Sequence, residues 1–506
     1  MPFINTEKFN NFLLFFIALI FFRFVFEYIN KYYIAIIGEK FTKKLREQLF
    51  KHQLQVDTSI YDQKGIGKYL LRYSGDLKSI QNYVTKGLFR FSQDLFLILF
   101  LLITISYINL NLGAIIAFSI GIAIITLFFI NRTLYSISVN RRNQRSAMLA
   151  FVNTRLRAML TIKAFNRYTP EEKRYTKRSK NLYAVGKEYQ QTLNFINAII
   201  PMLTYLMLAF LMWYVYFLKT DNTHISNESV LLILILLIIS FLPILRRSLR
   251  VSIIWKLGDI SFNKLLQIFY LEVENSLPFE KKDFANTEIS IKNVVIKYPH
   301  TEAFIFDKLN ISILPKKITA IIGGSGSGKD TLIKLLLKIY LPNEGDIYFG
   351  EYSHKELSEK TIRKNISVIS NSFPLYGRTV YEAITYSRNK DKKIKASKIL
   401  KNLQKFETRN NRLELEDTIG DLGATLTSGQ KKILLYCRAL LTNKPWLIID
   451  SPFKDVNVKT ATHLKNILNK LKERKTLIII DNKIPEGLNA DYIYTIKKRS
   501  ATVVQK

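Results

Sequence analysis

Long apolar runs fill the first half of the chain and alternate with two long polar segments. Apolar and charged residues follow helical spacing through Phe41 to Leu54 and Asn140 to Phe165. Turn-forming residues interrupt the pattern between Val56 and Gly67, which predicts a short transverse helix. A bilayer span takes about 20 apolar residues. Five apolar runs are predicted as spans: Phe12 to Ile37, Phe89 to Ile108, Leu112 to Asn131, Phe195 to Leu218 and the shorter Val230 to Leu245. The pattern predicts an α-helical membrane bundle with long helical extensions.

Basic residues set the expected orientation. Lysine and arginine crowd the segments Glu39 to Arg90 and Arg132 to Lys187, but are almost absent from Tyr107 to Leu112 and Lys219 to Glu228. By the positive-inside rule the two basic segments are cytoplasmic. We therefore expect a multi-pass cell-membrane protein with an outward N-terminus.

The formal net charge of +35 is shared by both halves of the chain and is not concentrated in a basic tail or helix. An anionic membrane leaflet explains this charge better than nucleic acid does, so no nucleic-acid partner is expected. The single cysteine, Cys437, excludes an internal disulfide framework and a cysteine-based metal site. No cleavable signal peptide is evident.

Charged residues inside or beside the spans are candidates for function. Arg23 and Glu27 lie four residues apart in the first span and share a helix face. They either face a substrate or form a mutual ion pair near a cavity. Arg246, Arg247 and Arg250 end the last span, where they either anchor the helix at the membrane surface or line a vestibule for an anionic substrate.

The pattern changes after about Glu272. The segment Asn275 to Asn286 is typical of a linker, and short β-branched runs then alternate with helical segments. This alternation predicts a mostly parallel sheet with helices on its faces. The predicted strands are Ile289 to Ile296, Ile311 to Leu314, Ile318 to Ile322, Ile366 to Ile369, Leu447 to Ile449 and Leu477 to Ile480. We expect a membrane domain over 1–272, a linker over 273–286 and a nucleotide-binding domain over 287–506.

A phosphate-binding loop follows one of these strands. Gly323 to Lys329 reads G-x-x-x-x-G-K between a strand and a helix, so its backbone amides and Lys329 are placed to hold a nucleotide phosphate chain. The pattern normally continues with Ser or Thr, whose hydroxyl binds Mg²⁺. This chain has Asp330 there, followed by Thr331. ATP with Mg²⁺ is the expected ligand.

The second half resembles the nucleotide-binding domain of ATP-binding cassette (ABC) transporters, and the whole chain looks like an exporter-type half-transporter. L-T-S-G-Q at Leu426 to Gln430 is similar to the signature motif, and W-L-I-I-D at Trp446 to Asp450 to the strand whose aspartate supports Mg²⁺. Fragments at Gly67 to Asp76 and Thr161 to Phe165 match the membrane half. The resemblance implies that Tyr298 stacks on adenine and that Asp450, with Asp330, holds Mg²⁺. It implies a nucleotide site of Tyr298, Gly323, Gly324, Ser325, Gly326, Ser327, Gly328, Lys329, Asp330, Thr331, Leu426, Thr427, Ser428, Gly429, Gln430 and Asp450.

Three catalytic positions depart from the family pattern. Ser451 stands where the family has the general-base glutamate, Asn482 where it has a histidine, and Asn371 where it has a glutamine. A serine hydroxyl does not accept a proton at neutral pH. The loop Lys454 to Asn457 also differs from its usual S-A-L-D. We expect ATP to bind at a degenerate site and to be hydrolysed slowly or not at all.

The resemblance implies a dimer in which each ATP contacts one subunit's phosphate loop and the other's signature motif. The leading hypothesis is a heterodimeric exporter whose second half-transporter has an intact site. A homodimer with low ATPase activity and a non-transporting ATP-binding pseudoenzyme are the alternatives. The family usually has six spans per half, and the first is lost, supplied by another chain or missing through truncation. The exported substrate stays open among peptide, lipid and hydrophobic small molecule, with membrane lipids as surrounding partners.

Overall fold

The computed structural model describes residues 6–64, 69, 72–220, 228–274, 277–280, 282, 284–298, 303–497 and 500–505. The chain divides into two compact units, Met1–Val56 with Ile60–Glu272 and Val273–Lys506 with Asp57–Ser59. Gly67, Lys68, Leu70 and Leu71 of the fragment at Gly67 to Asp76 lie outside the described residues.

The first unit is helical. Among its described residues, π-helical segments at Arg72–Asp76 and Tyr83–Arg90 lie on either side of the short helix Leu77–Asn82 and lead into the helix Phe91–Ile108. The helices are α1 (Thr6–Gln53), α2 (Thr58–Lys64), α3 (Leu77–Asn82), α4 (Phe91–Ile108), α5 (Leu110–Arg157), α6 (Met159–Ala164), α7 (Tyr168–Thr220) and α8 (Glu228–Phe269). The short helix expected after Val56 is present as α2. Ala158 interrupts the helix predicted over Asn140 to Phe165, so that α6 is a separate turn.

Four helices among the described residues are long and apolar enough to cross a membrane: Asn10–Gln53, Leu77–Tyr107, Leu110–Arg157 and Tyr168–Tyr214. The fifth predicted span, Val230 to Leu245, falls in α8, where the side chains of 230–238 and 240 lie outside the described part. At a rise of about 1.5 Å per residue, the 48 residues of α1 extend for about 72 Å. The predicted helical extensions beyond the bilayer are therefore confirmed.

A buried charge network ties the extensions together. Asp76 is 6% exposed, and its carboxylate accepts from Arg72 at 2.5 Å and from Arg142 at 3.0 Å. Arg142 also donates to Ser261 at 2.5 Å and to Ser79 at 3.1 Å. Because removing one partner would leave a buried charge uncompensated, the network fixes how α3, α5 and α8 pack.

Of the two alternatives for Arg23 and Glu27, the mutual ion pair is not the one that the structure shows. The carboxylate of Glu27 instead pairs with Lys31 at 2.5 Å, one turn further along α1. Both spacings place side chains on one helix face, so spacing alone did not identify the partner. Arg23, Glu27 and Lys31 all line one cavity of the membrane domain.

The second unit contains two sheets instead of the single sheet expected. Strands β1 (Ile289–Lys297), β2 (Phe304–Ile313), β4 (Glu344–Phe349) and β5 (Tyr352–Ser353) form an antiparallel sheet in the order β2-β1-β4-β5. The other six are β3 (Ile318–Gly323), β6 (Ile366–Ile369), β7 (Trp446–Asp450), β8 (Thr476–Asp481), β9 (Tyr492–Lys497) and β10 (Ser500–Gln505). Their order is β10-β9-β3-β8-β7-β6, with only β10 antiparallel.

The six-stranded sheet carries the core of this unit. Its central strands are apolar on both faces because helices cover them, among which are α9 (Lys329–Leu336), α10 (Glu359–Asn365), α11 (Val380–Thr385), α12 (Lys393–Leu403), α13 (Ser428–Leu441) and α14 (Val458–Leu471). Residues of the expected linker also pack here: Phe284 is 1% exposed and stacks on Trp446 with ring centroids 5.6 Å apart. Glu274 forms a bidentate ion pair with Arg363.

A buried histidine makes the stability of this unit pH-dependent. His354 is 0% exposed and stacks on Phe349. Burial lowers its pKa from 6.5 to about 3, and the ammonium of Lys338 acts in the same direction. The unfolded chain therefore binds one more proton than the folded chain between these pH values, and the free energy of unfolding should fall by about 1.4 kcal/mol per pH unit below pH 6.5.

Thermal unfolding of the full-length protein at pH 7.5, 6.5 and 5.5 measures this effect. His354→Leu removes the titrating group and should flatten the dependence on pH. His463→Leu is the control, because His463 bonds to Asn402 on the exposed surface. A dependence that survives in His354→Leu would assign it to another group.

Candidate nucleotide site

The phosphate loop has the open backbone that a nucleotide requires. It joins β3 to α9 and passes through Gly326 and Gly328, whose φ angles are 78° and 91°. A Cβ at Gly328 would lie 2.8 Å from the ring of Phe306, whereas a Cβ at Gly324 or Gly326 would meet nothing within 4 Å. Glycine adopts the left-handed φ angles without strain, and at Gly328 it also avoids a clash with Phe306. The backbone at Gly324 and Gly326 remains accessible.

Lys329 lies across this loop. Its ammonium donates to the carbonyls of Gly323 at 2.6 Å and Gly324 at 2.7 Å, and to Oδ1 of Asn482 at 2.9 Å. The fold therefore brings together the lysine that is predicted to bind phosphate and the asparagine at the predicted histidine position. A neutral amide oxygen accepts one of the lysine's hydrogen bonds here.

The remaining residues at the start of α9 have different surroundings. The hydroxyl of Thr331 lies 3.0 Å from that of Tyr298, and Thr331 is 3% exposed. The ring of Tyr298 packs edge-on against Tyr340. Asp330 is exposed in the first turn of α9. The carboxylate of Asp330, and not the hydroxyl of Thr331, is therefore the accessible group beside the loop.

Asp450 ends β7 and is held by neighbours on several sides. Its carboxylate accepts from Ser370 at 2.9 Å and from Ser451 at 3.3 Å. The ammonium of Lys432, which is 1% exposed, donates to its backbone carbonyl at 2.7 Å. Burial lowers the pKa of Lys432 to about 8, although the carboxylate of Asp450 opposes this shift.

The three departing positions do not supply a base. Ser451 has a φ of 48°, and its amide donates to the carbonyl of Ile480 on the adjacent strand β8. Asn371 is exposed one residue after Ser370, and Asn482 contacts Lys329. At none of these positions does a side chain carry a carboxylate or an imidazole, so proton abstraction from water has no candidate among them.

Comparison with known proteins places this fold in a family. The family model for the ABC transporter transmembrane region matches residues 3–244, and the ABC transporter model matches residues 306–454. The chain belongs to the ABC transporters. It is a multi-pass membrane protein of the exporter fold, and its nucleotide domain is cytoplasmic.

Two similar proteins and one solved structure illustrate the relationship. The transporter is 24% identical over 486 residues to an ATP-dependent lipid A-core flippase of Pasteurella multocida, with 95% of this chain and 83% of that protein covered. A flippase of the same name from Photorhabdus laumondii is 23% identical over 485 residues, with the same coverage. A bacterial Atm1-family ABC exporter with ATP bound superposes with a TM-score of 0.88 at 18% identity, covering 99% of this chain and 89% of that one.

The predicted signature motif of the transporter lies at the start of helix α13. The side chain of Thr427 accepts from the amide of Gln430 at 3.2 Å, and the side chain of Gln430 accepts from the amide of Thr427 at 2.9 Å. This reciprocal capping box fixes the first turn. Thr427 and Ser428 are exposed, Leu426 is buried, and a Cβ on Gly429 would lie 2.8 Å from the carbonyl oxygen of Asp455.

Several residues of the site were not predicted from the sequence. Ser370 and Lys432 both contact Asp450, and the carbonyl of Asn411 accepts from the side chain of Gln430. Lys432 could have been predicted, because a lysine two residues after the predicted signature motif falls on the buried face of α13 and a buried lysine requires a partner. Nothing local marks Ser370 or Asn411.

The residues present fit ATP better than they fit its metal ion. The open loop backbone and Lys329 are suited to the phosphates. When bound, Mg²⁺ would supply positive charge that neutralises charge developing on the phosphates. Asp450 and Asp330 would hold it here, but the carboxylate of Asp450 already accepts two hydroxyl hydrogen bonds, and Asp330 replaces a neutral ligand by a charged one.

Proposed function

We propose that this transporter is an exporter subunit that binds ATP at its own phosphate loop and hydrolyses it poorly or not at all. The observation that carries the proposal is the composition around Asp450 and Lys329: Ser451, Asn482 and Asn371 stand at the three positions from which the family activates and senses the attacking water. Phosphoryl transfer depends on positioning and electrostatics, and one loss can be offset by the remaining groups. Replacement of all three removes each of the groups that the family uses to activate and sense the attacking water.

We further propose that its signature motif serves the ATP of a second, catalytically intact half-transporter. The capping box holds Leu426 to Gln430 in one conformation, and Thr427 and Ser428 are exposed to a partner. Such a motif has no use for this chain's own ATP, because in the family it contacts nucleotide held by the other subunit. Retention of a well-formed motif beside a degenerate loop site favours a heterodimer.

The first test is the fate of ATP on the purified full-length protein. ATP is mixed with the protein, free nucleotide is removed, and bound nucleotide is released by denaturation and identified chromatographically. We expect ATP and not ADP. Turnover by this chain alone at several per second, a usual enzyme rate, would contradict the proposal.

Lys329→Ala provides the matching binding experiment. Hydrogen bonds to charged groups contribute about 1.5–3 kcal/mol, so we expect the affinity for ATP to fall about tenfold to a hundredfold. Fluorescence anisotropy of a labelled ATP analogue measures it. Lys459→Ala, at an exposed position of α14, removes the same charge and should leave affinity unchanged. Equal losses in both variants would mean that the ligand responds only to overall charge.

A non-transporting pseudoenzyme is the second candidate, favoured by the same triple replacement. Reconstitution with the subunit that co-purifies from the native membrane separates the two. ATP-dependent movement of a labelled amphiphile across vesicles requires the transport subunit, whereas ATP binding without movement supports a regulatory or scaffolding role.

A further inference from the structure

The membrane domain contains a cavity with a strong excess of positive charge. Its volume is about 540 Å³, and it lies between the π-helical entry to α4 and the middle of α8. Five cations and one carboxylate line it: Lys86, Arg90, Arg246, Arg247, Arg250 and Asp94.

The single carboxylate neutralises only one of these cations. Asp94, 1% exposed, accepts from Nε of Arg247 at 2.7 Å and makes a second hydrogen bond to its Nη2. Among the described residues, Lys86, Arg90 and Arg250 have no ion pair with an acidic side chain. The cavity therefore keeps a net excess of four positive charges in a partly enclosed space.

Arg246 supplies an independent sign of a missing ligand. Its Nε donates to Thr204 at 2.8 Å, and its guanidinium lies 4.2 Å from the centre of the Tyr205 ring. These contacts hold the side chain in place. Its Nη2 is nevertheless buried and has no hydrogen-bond partner in the part of the chain that the structure describes. Buried polar groups are normally satisfied, so this donor is suited to an acceptor from outside the protein.

The location selects the kind of molecule. Lys86 precedes the predicted span Phe89 to Ile108, and Arg90 lies at its start. The three arginines of α8 follow the end of the predicted span Val230 to Leu245. Both positions are at the cytoplasmic ends of their spans, so the cavity is at the cytoplasmic edge of the bilayer. A second cavity of about 1020 Å³ shares five of its residues and adds the apolar side chains of Ile34, Leu97 and Ile244. Its further charged residues are the cations Arg23, Lys31 and Lys78 and the carboxylates Glu27 and Glu39, so the charge excess is greatest in the smaller cavity. Cationic and apolar surfaces are thus continuous.

We propose that this cavity is a binding site for a phosphate- or carboxylate-type anionic group carried by an amphiphile at the inner leaflet. Guanidinium groups bind such planar or tetrahedral anions through paired, charge-assisted hydrogen bonds. This inference rests on the proposed transport function, because it assigns a class of substrate to the exporter. Its geometry does not depend on the nucleotide site.

Membrane anchoring alone does not account for the arrangement. An anchoring arginine reaches the headgroup layer from an exposed helix face and needs no enclosed partner. Arg132 is such a residue, since it follows the predicted span Leu112 to Asn131, is exposed and lies outside the two cavities. The cavity cations instead converge on one space, and two of them are held there by Thr204 and Asp94.

Lipid binding to the purified full-length protein tests the site without nucleotide. The protein is titrated with phosphatidylglycerol and with phosphatidylcholine of the same chains, and bound lipid is counted by native mass spectrometry. We expect preference for phosphatidylglycerol, and a loss of about tenfold or more in its affinity in the Arg90→Gln, Arg250→Gln double variant. Arg132→Gln removes a charge at the same membrane depth and should change little. The side chains of Arg90 and Arg250 make no hydrogen bonds to other described residues, so the substitutions should leave folding intact.

Calorimetric titration with inorganic phosphate distinguishes the two possible sources of the anion. Weak or absent phosphate binding, with a strong preference for the anionic lipid, supports the amphiphile. If the protein binds phosphate, the double variant abolishes this binding, and no lipid preference is seen, the proposal of an amphiphile is overturned. The cavity would then be a site for a soluble anion. An equal lipid loss in Arg132→Gln would overturn the site altogether. Because no arm uses ATP, failure here is separable from failure of the degenerate-site proposal.

Discussion

Replacing Ser451 by glutamate and Asn482 by histidine together is expected to raise ATP turnover at this chain's phosphate loop by about a hundredfold or more. General acid–base catalysis commonly contributes factors of 10² to 10⁴. Ser451 directly follows Asp450, which is predicted to support Mg²⁺, and Asn482 already contacts Lys329 beside the loop. The two substitutions place a proton acceptor and an imidazole where the family has them.

The backbone at Ser451 can accept the change. Its left-handed φ of 48° is already occupied by a residue with a Cβ, so glutamate adds no new backbone restriction. Its amide bond to the carbonyl of Ile480 does not involve the side chain. Asn482 is exposed, and histidine there meets no packed core. Recovery should stay below the level of an intact site because Asn371 and Asp330 remain.

Phosphate release from the purified complex, under conditions in which the partner's site is blocked by its own lysine substitution, measures the effect. Ser451→Gln with Asn482→His is the matched control, because glutamine has the size of glutamate but accepts no proton at neutral pH. Adding Lys329→Ala to the restored protein should abolish the gain. A gain of equal size with glutamine would show that shape, and not a base, was missing.

The phosphate loop and its flanking strands could be predicted because their signals are local. Strands β3, β6, β7 and β8 are short, β-branched and buried, with turn residues at their ends. β4 and β9 were not predicted, since they mix polar and aromatic residues and resemble loop-rich sequence. The separate antiparallel sheet was also missed, because the spacing of apolar residues does not encode the direction of pairing.

The contacts that define the site were less accessible to sequence reasoning. Ser370 bonds to Asp450 across 80 positions of the chain, and Lys329 meets Asn482 across 153. Such contacts depend on β6, β7, β8 and β3 lying side by side at one sheet edge, which only the topology specifies. The motifs showed that Ser451, Asn482 and Asn371 depart from the family pattern, but they did not show which residues surround Asp450.

In the complex with the proposed partner half-transporter, Gly429→Asp is expected to reduce total ATP hydrolysis by about a hundredfold while leaving nucleotide binding at this chain's own loop unchanged. Loss of one preorganised donor at developing charge commonly costs 10² to 10³ in rate. A Cβ at Gly429 would lie 2.8 Å from the carbonyl of Asp455, and the added carboxylate would repel the partner's γ-phosphate. The damage would therefore appear at the partner's site, although the substitution is in this chain.

Phosphate release and retention of labelled ATP, measured on the same preparation, separate the two sites. Gly186→Asp is the control, because it adds the same charge on a helix at a position where a Cβ meets nothing within 4 Å. A homodimer with two equally poor sites predicts little change from an already low rate, since there is no intact site to lose. A large loss confined to Gly429→Asp requires that a different, competent subunit uses this motif. Loss of both hydrolysis and ATP retention would instead mean that the nucleotide domain had been disrupted as a whole.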